Sequence, residues 1–496
     1  MVFHSEAIRF SASAPLKVSV VGHNSYFSFL GFSMNSVIRI ACYSLLLVSS
    51  TCCIGTISSA ARAEGPAPAT GALKEFVTGV DPEFRFEVVE QGQVGSSRFA
   101  RLHMVSQKWK DVNWKHVVYV VIPNKAIENP DAKSSQSALL LVDGGAWKKE
   151  WGENAPTKIQ PKAEFQVIKA IAEASGSPAV VVSQVPFQPM FEDLTEDALI
   201  AETFKRYIQG EGEDWPLLMP MVRSAVRAMD TAQSYAKSEF KISIEKFTIT
   251  GASKRGWTTW LTSAVDPRID ALAPMVIDML NMPVQMKHQM ETWGEYSEQI
   301  GDYTSLSLQK FLQTKQGDSL LRVVDPYRYR DRIEQPKLLI FGTNDRYWPL
   351  DACNKYWHEL RGDKYLLYTP NQGHSIRDIA RVAGSIHALH RSRCGEFALP
   401  KLEWESGTAD GKIAFRMKCD CEPQEASIWI AKSRTKDFRD ANWSSYAAES
   451  IDALNHRYSV NLDSDEYVAA FGEWVFELGD MPAYFSTNIV IAEPAP

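Results

Sequence analysis

The sequence predicts an α/β fold, a mostly parallel sheet covered by helices, followed by an all-β segment of sandwich type. Three observations carry this expectation. Short apolar runs alternate with helical patterns from about residue 138 to residue 398. Several of those runs end in loops that are glycine-rich or hold a reactive residue type. Beyond Leu399 the apolar spacing switches to every second residue.

The chain has 496 residues, enough for two or three domains. Its 45% hydrophobic and 23% charged residues are those of an ordinary globular protein. A formal net charge of −7 argues against a general nucleic-acid binder, because phosphate contacts need a basic surface.

The N-terminal segment, residues 1–63, reads as a secretory signal region. Arg39 precedes an apolar run from Ile40 to Val48, and Ala61-Arg62-Ala63 supplies an Ala-x-Ala cleavage site. Met34 is the expected true start. The run is shorter than the ~20 apolar residues a membrane span needs, so no span is expected after cleavage. The expected location is secreted or periplasmic. Residues 64–75 are rich in Ala, Gly and Pro and predict a disordered linker.

From 76 to 398 the pattern is that of one α/β domain. Phe84 to Pro123 predicts antiparallel strands, with Val117–Val121 the clearest. A strand at Ala138–Val142, a helix near Lys162–Ala174, a strand at Ala179–Ser183 and a helix near Leu217–Ser238 follow. Further strands are predicted at Phe247–Ile249, Met275–Ile277, Lys337–Phe341 and Tyr365–Tyr368. Ligands of such a sheet sit at the carboxyl ends of its strands.

Those ends carry the chemistry. Phe247-Thr248-Ile249 runs into Thr250-Gly251-Ala252-Ser253-Lys254-Arg255-Gly256-Trp257 and then a helical pattern. Strand, glycine-flanked serine, helix is the layout of a nucleophile elbow. A serine hydroxyl needs a base to take its proton. Lys337–Phe341 leads to Gly342-Thr343-Asn344-Asp345, and Tyr365–Tyr368 leads to Pro370-Asn371-Gln372-Gly373-His374. The order Ser253, Asp345, His374 is that of an α/β-hydrolase triad. Asp278, ending the Met275–Ile277 run, is the alternative acid. The oxyanion of a tetrahedral intermediate needs two donors. Here they are the backbone N–H of Lys254 and that of Gly145 or Ala146, in the loop Asp143-Gly144-Gly145-Ala146-Trp147. The Lys254 side chain could assist the oxyanion, bind an acidic substrate or simply be solvated. The second glycine of the elbow stands at 256 instead of 255, which predicts altered helix–strand packing.

The stretch Thr250 to Trp260 resembles the signature of the PhoPQ-activated pathogenicity-related proteins. Ala273 to Met282, Ser106–Trp109 with Trp114-Lys115-His116, and Gln184 to Pro189 add to the resemblance, which runs from about residue 75 to the C-terminus. It implies an exported α/β-hydrolase-like protein and no particular substrate. A looser similarity is to glucuronoyl esterases, which also place a basic residue directly after the serine.

Two insertions, at 186–216 and 280–336, predict lids over the site. Glu192, Asp193 and Glu196 in the first could hold a substrate amine or mark a solvated helix start. The second holds Met282, Met286, Met290, Trp293, Tyr296, Tyr303 and Phe311 among polar residues, and most of the aromatic ones read as lid core. Residues 399–496 predict an immunoglobulin-like sandwich that packs on the hydrolase or binds a protein partner. Its strands are expected around Ile413–Cys419, Ala426–Ile430, Tyr467–Phe476 and Phe485–Ile491. Cys353, Cys394, Cys419 and Cys421 permit two disulfides in an exported chain, although a bond between Cys419 and Cys421 would be strained. No spacing matches a zinc site, and His387 with His390 reads as a surface pair. The functional expectation is an exported serine hydrolase of a small-molecule or peptide ester or amide, working without cofactor or metal. The alternative is an idle hydrolase-like signalling or virulence-associated binding protein.

Overall fold

The computed structural model describes residues 67–152, 155–156, 163–462 and 464–495. The expected signal region, with Met34 and the cysteines at 42, 52 and 53, lies outside them. Residues 67–75 correct the expected linker. They lie on the core, with Leu73 fully buried, and the helix Ala72–Thr78 begins there. The Ala69 and Thr70 N–H groups donate to the carbonyls of Arg328 and Arg322.

Nine strands build the part of the sheet that carries the site. They are β1 (Arg85–Val94), β2 (Ser97–Trp109), β3 (Val112–Pro123), β4 (Ser137–Val142), β5 (Ala179–Val182), β6 (Lys246–Ala252), β7 (Ile269–Met275), β8 (Lys337–Gly342) and β9 (Lys364–Thr369). Their order across the sheet is β1-β2-β3-β5-β4-β6-β7-β8-β9. The first three form an antiparallel meander. Lys110 and Asp111, both at positive φ, make the two-residue turn between β2 and β3. From β5 to β9 the pairing is parallel, and β4 and β5 exchange places. This is the α/β-hydrolase arrangement. β4 and β8 are buried along their whole length, as expected of strands covered on both faces. The helices Leu218–Phe240 and Lys254–Val265 cover one face; Ala163–Ser175 and Ile379–Arg393 cover the other.

The C-terminal region extends this sheet. Its strands are β10 (Leu402–Ala409), β11 (Lys412–Cys419), β12 (Glu425–Ser433), β13 (Ser444–Ala447), β14 (Glu449–Ser450), β15 (Asn455–Asn461), β16 (Tyr467–Glu477), β17 (Pro482–Ser486) and β18 (Val490–Ala492). β17 joins β9, through Ser486 opposite Leu366 and a bond from the Tyr368 N–H to Ser486 Oγ, and β16, β12 and β13 follow. β10, β11, β15 and β14 form a second sheet. Ile413, Phe415, Met417 and Cys419 alternate inward from β11 and bury against the first sheet, near Ile428 and Trp474. The run expected at Phe485–Ile491 is broken at Thr487–Ile489 into β17 and β18. The described residues form one compact unit.

Two expectations are corrected. Cys353, Cys394, Cys419 and Cys421 are all free thiols, the first three buried. His387 and His390 are both fully buried on the inner face of their helix. His390 Nδ1 sits 2.9 Å from Thr248 Oγ1, and burial lowers its pKa to about 3.

Gly384 places its helix directly on β17: an added Cβ would collide with the Pro482 carbonyl. Gly384→Ala is therefore expected to lower unfolding stability by about 1–3 kcal/mol in a urea melt, as overpacking does. A melt unchanged from wild type would mean that this contact is not tight.

Candidate active site

Ser253 stands where β6 gives way to the helix Lys254–Val265. Its φ of 58° and ψ of −125° lie in a region that a side chain seldom adopts. The Ser253 N–H donates to the Met275 carbonyl at 2.8 Å, which ties this turn to the end of β7. Glycines make room for it. A Cβ on Gly251 would lie 2.7 Å from the Arg255 carbonyl oxygen, and one on Gly256 2.9 Å from the Met275 carbonyl oxygen. Gly256 thus allows the close helix–strand approach from its shifted position, and Arg255 turns the other way.

Asp345 and His374 come from neighbouring strand ends. The loop after β8 and the loop after β9 are zipped together, by the Asn344 N–H on the Gln372 carbonyl and the Asn371 N–H on Thr343 Oγ1. Gly342 has no side chain to hold apart the carbonyls of Gln372 and Gly373, which pack directly on it. The C-terminal region braces both loops. Asn344 Nδ2 donates to the Ala441 carbonyl at 2.7 Å, and Asn371 exchanges bonds with the Trp443 backbone at 2.8 and 2.9 Å.

This frame brings Ser253, His374 and Asp345 into one chain of hydrogen bonds. His374 Nε2 is 2.9 Å from Ser253 Oγ, and His374 Nδ1 is 2.8 Å from Asp345 Oδ2. An Nδ1–H donated to the carboxylate leaves Nε2 free to accept from the serine hydroxyl. The second oxygen, Asp345 Oδ1, accepts from the Tyr347 N–H at 3.0 Å. The Tyr347 ring stacks on the imidazole with centroids 4.1 Å apart. Asp278, the alternative acid, does not join. It is buried with Oδ1 2.6 Å from the Tyr356 hydroxyl, and burial, aided by the nearby Asp345 charge, pushes its pKa up to about 8.

β4 runs parallel to β6 with Val142 opposite Gly251, so the loop Asp143–Trp147 leaves the sheet beside the elbow. Gly145 has a φ of 112°, in the region that favours glycine. Its carbonyl accepts from Gln188 Nε2, and the Trp147 N–H donates to the Gln188 carbonyl, which fixes the loop. Among the described residues nothing accepts from the N–H groups of Gly145 or Ala146. Lys254, the first residue of its helix, has no intrahelical acceptor for its N–H either.

The side chain of Lys254 is neither solvated nor free for an acidic substrate. It is buried, with Nζ 2.8 Å from Asp197 Oδ2 and 3.3 Å from Glu196 Oε2. Arg255 holds Glu196 with both nitrogens, at 2.8 and 2.7 Å, and donates from Nε to the Val185 carbonyl. Burial raises the pKa of Glu196, but the bonds and charge of Arg255, with help from Gln188 and Lys254, outweigh it and hold the group near 2. Glu196 is therefore not open to a substrate amine. Asp193 pairs on the surface with Lys149. Asp197 and Tyr347 carry no sequence signal of their own, and Tyr303 stands out only as one of the aromatic residues of the second insertion. Tyr303 donates to Asp197 Oδ1 at 2.9 Å and Tyr347 approaches Oδ2 at 3.4 Å. The acidic insertion and the basic pair after Ser253 were each visible in the sequence, but their partnership spans almost 60 residues. Among the described residues no cluster of His, Cys, Asp and Glu could hold a metal ion.

A cavity enclosing about 910 Å³, its open mouth included, adjoins Ser253 and His374. Both insertions wall it, with Phe204 and Ile208 from the first and Met282, Met286 and Tyr303 from the second. Phe311, one of the aromatic residues of the second insertion, is exposed and not lid core.

Two substitutions at the acids separate their roles. Asp345→Asn is expected to lower kcat on an activated ester by about 10³–10⁴, whereas Asp278→Asn leaves kcat of the same order. Asp278 is ionised in the unfolded chain above its usual 3.8 but only above about 8 when folded, so it destabilises the fold progressively as pH rises between those values. The Tm gain of Asp278→Asn over wild type should grow through that window and level off above it. Equal kcat losses for both variants would contradict the assignment. For Glu196 the sign is opposite. Its ion pairs support the fold fully above pH 4.5, and that support is lost as pH falls towards about 2. The Tm deficit of Glu196→Gln should therefore shrink across that acid range; a deficit that is independent of pH would show that the carboxylate charge is not what holds the contact.

Comparison with known proteins places the chain in a family. The chain is 31% identical over 317 residues to autocrine proliferation repressor protein A of Dictyostelium discoideum, a match that spans 61% of this chain and 61% of that protein. Solved structures similar to it include acetyl xylan esterase 1 from Thermoanaerobacterium sp. JW/SL YS485, at 13% identity and a TM-score of 0.42, covering 66% of this chain and 96% of that one. An S-formylglutathione hydrolase from Agrobacterium tumefaciens matches at 14% identity and a TM-score of 0.41, covering 62% and 100%. A glucuronoyl esterase from Solibacter usitatus matches at 10% and 0.36, covering 65% and 91%. The sequence profile of the PhoPQ-activated pathogenicity-related proteins matches residues 73–439, a narrower span at its C-terminal end than the sequence suggested, and the chain belongs to that family.

Proposed function

We propose that this chain is an exported serine hydrolase that cleaves an ester or amide bond through an acyl-enzyme. The observation that carries the reading is the continuous relay Ser253–His374–Asp345, with contacts of 2.9 and 2.8 Å. Ser253 Oγ attacks the carbonyl carbon while its proton passes to His374 Nε2. Asp345 holds the ring in the productive tautomer and stabilises its charged form. The oxyanion is received by the N–H of Lys254 and that of Gly145 or Ala146. The bond to the leaving group then breaks, and His374 returns its proton to the departing oxygen or nitrogen. A water molecule, deprotonated by the same ring, attacks the acyl-enzyme, releases the acid and restores Ser253. Substrate is taken to be a small molecule or peptide with an acyl carbon. Export is supported by the basic flank, short apolar run and Ala-x-Ala end of residues 39–63.

The name of the Dictyostelium relative, a repressor of proliferation, favours a second reading in which the site is idle and the molecule is a signal. Against it stands the strained Ser253 backbone, which costs on the order of 1–3 kcal/mol and has no use in a pure binding protein. A fluorophosphonate probe decides between them. Wild type is expected to be labelled at one site and Ser253→Ala not at all. A folded wild type that resists the probe would favour the idle protein, and labelling that survives Ser253→Ala would remove this serine as nucleophile.

A further inference from the structure

We propose that the cavity between the two insertions binds the acyl part of the substrate, and that this part is an uncharged apolar chain. The inference rests on the serine-hydrolase reading above. The cavity, about 910 Å³ of empty space with its open mouth counted in, lies between the two insertions and opens beside Ser253. Ser253 and His374 are part of its wall, so a group carried on the reacting carbonyl enters it directly.

The chemistry of the wall selects the group. Trp257, Ile277, Met279, Met286, Leu312 and Leu320 present apolar surface from four separate chain segments. The ionic residues that line it are already paired. Lys254 Nζ lies 2.8 Å from Asp197, and Tyr303 donates to the other oxygen of that carboxylate. Burial and the Asp197 charge raise the Tyr303 pKa well above its usual value, so that phenol stays neutral. A second carboxylate or an ammonium on the acyl group would enter this space with no counter-charge, which is strongly unfavourable. Gln309 Oε1 is buried there without a hydrogen-bond partner and can accept from a hydroxyl on the chain, but it offers no charge.

The cavity suits the acyl side better than the leaving-group side. The acyl group stays bonded to Ser253 Oγ through both half-reactions, whereas the leaving group must depart before water can attack. An apolar space beside Ser253 lends its binding to the part that stays.

The test is kcat/KM of the full chain for p-nitrophenyl esters from acetyl to octanoyl, with the leaving group constant. A rise of at least ~30-fold is expected, well inside the about three- to four-fold that each fully buried methylene can supply. A succinyl ester should fall below the butyryl ester. Met286→Trp and Leu312→Trp, each checked by thermal melt, should lower the octanoyl rate about ten-fold more than the acetyl rate; either one that folds is sufficient. A flat or falling series on an enzyme whose Ser253 takes the fluorophosphonate overturns the acyl pocket and leaves the hydrolase standing. A rise seen only when the alcohol is lengthened at constant acetyl likewise overturns it, by assigning the cavity to the leaving group. Absence of both labelling and turnover overturns the two readings together.

Discussion

The rest of the site depends on one backbone hydrogen bond, from the Ser253 N–H to the Met275 carbonyl. It pins a serine at φ 58° and ψ −125°, a conformation the residue would leave if released. With that turn fixed, Oγ stands clear of the sheet and within reach of a ring arriving two strands beyond β7. Gly251 and Gly256 are what let the bond form, since a methyl group at either position would strike backbone atoms. Strain at this point is held by packing on several sides, as small neighbours and tight helix–strand contact require.

Around that turn the structure is braced in two directions. On the helix side, Lys254 and Arg255 tie the Ser253 turn to Glu196 and Asp197 of the first insertion. Arg255 also packs its guanidinium against Gly144, so the same side chain supports the loop of the expected oxyanion donors. On the other side, the loops bearing Asp345 and His374 are held by Asn344 and Asn371, whose partners lie in the C-terminal region. That region is therefore part of the frame of the site: β17 extends the sheet at β9, and the segment before β13 buttresses the relay. The ion pairs with the first insertion hold one wall of the cavity at a set distance from the serine.

The sheet, the elbow and the order of the three polar residues were legible because they follow from local pattern. Apolar runs of strand length end at Ile249, Phe341 and Tyr368, and the loops after them hold residues of the needed types. What stayed hidden was long-range pairing. Nothing in the spacing says that Lys254 meets Asp197, or that Tyr347 stacks on His374. Asp278 stands as the alternative to Asp345 because it too ends an apolar run; only the fold turns its carboxylate to Tyr356. His387 and His390 looked like surface residues because polar type outweighed their position on a helix whose inner face they share. The four cysteines were read through compartment, and compartment does not bring thiols into range. Residues 67–75 were read through composition, yet Leu73 and Ala69 found a core to pack on.

The central claim is that Ser253 Oγ takes the acyl group from the substrate. Rapid acid quench of the enzyme with a slow-turnover ester, followed by peptide mapping by mass, measures this directly. The account predicts one acyl group per chain, confined to the peptide containing Ser253 and formed no more slowly than product. Product released with no adduct at any time, or an adduct on another residue, would contradict it.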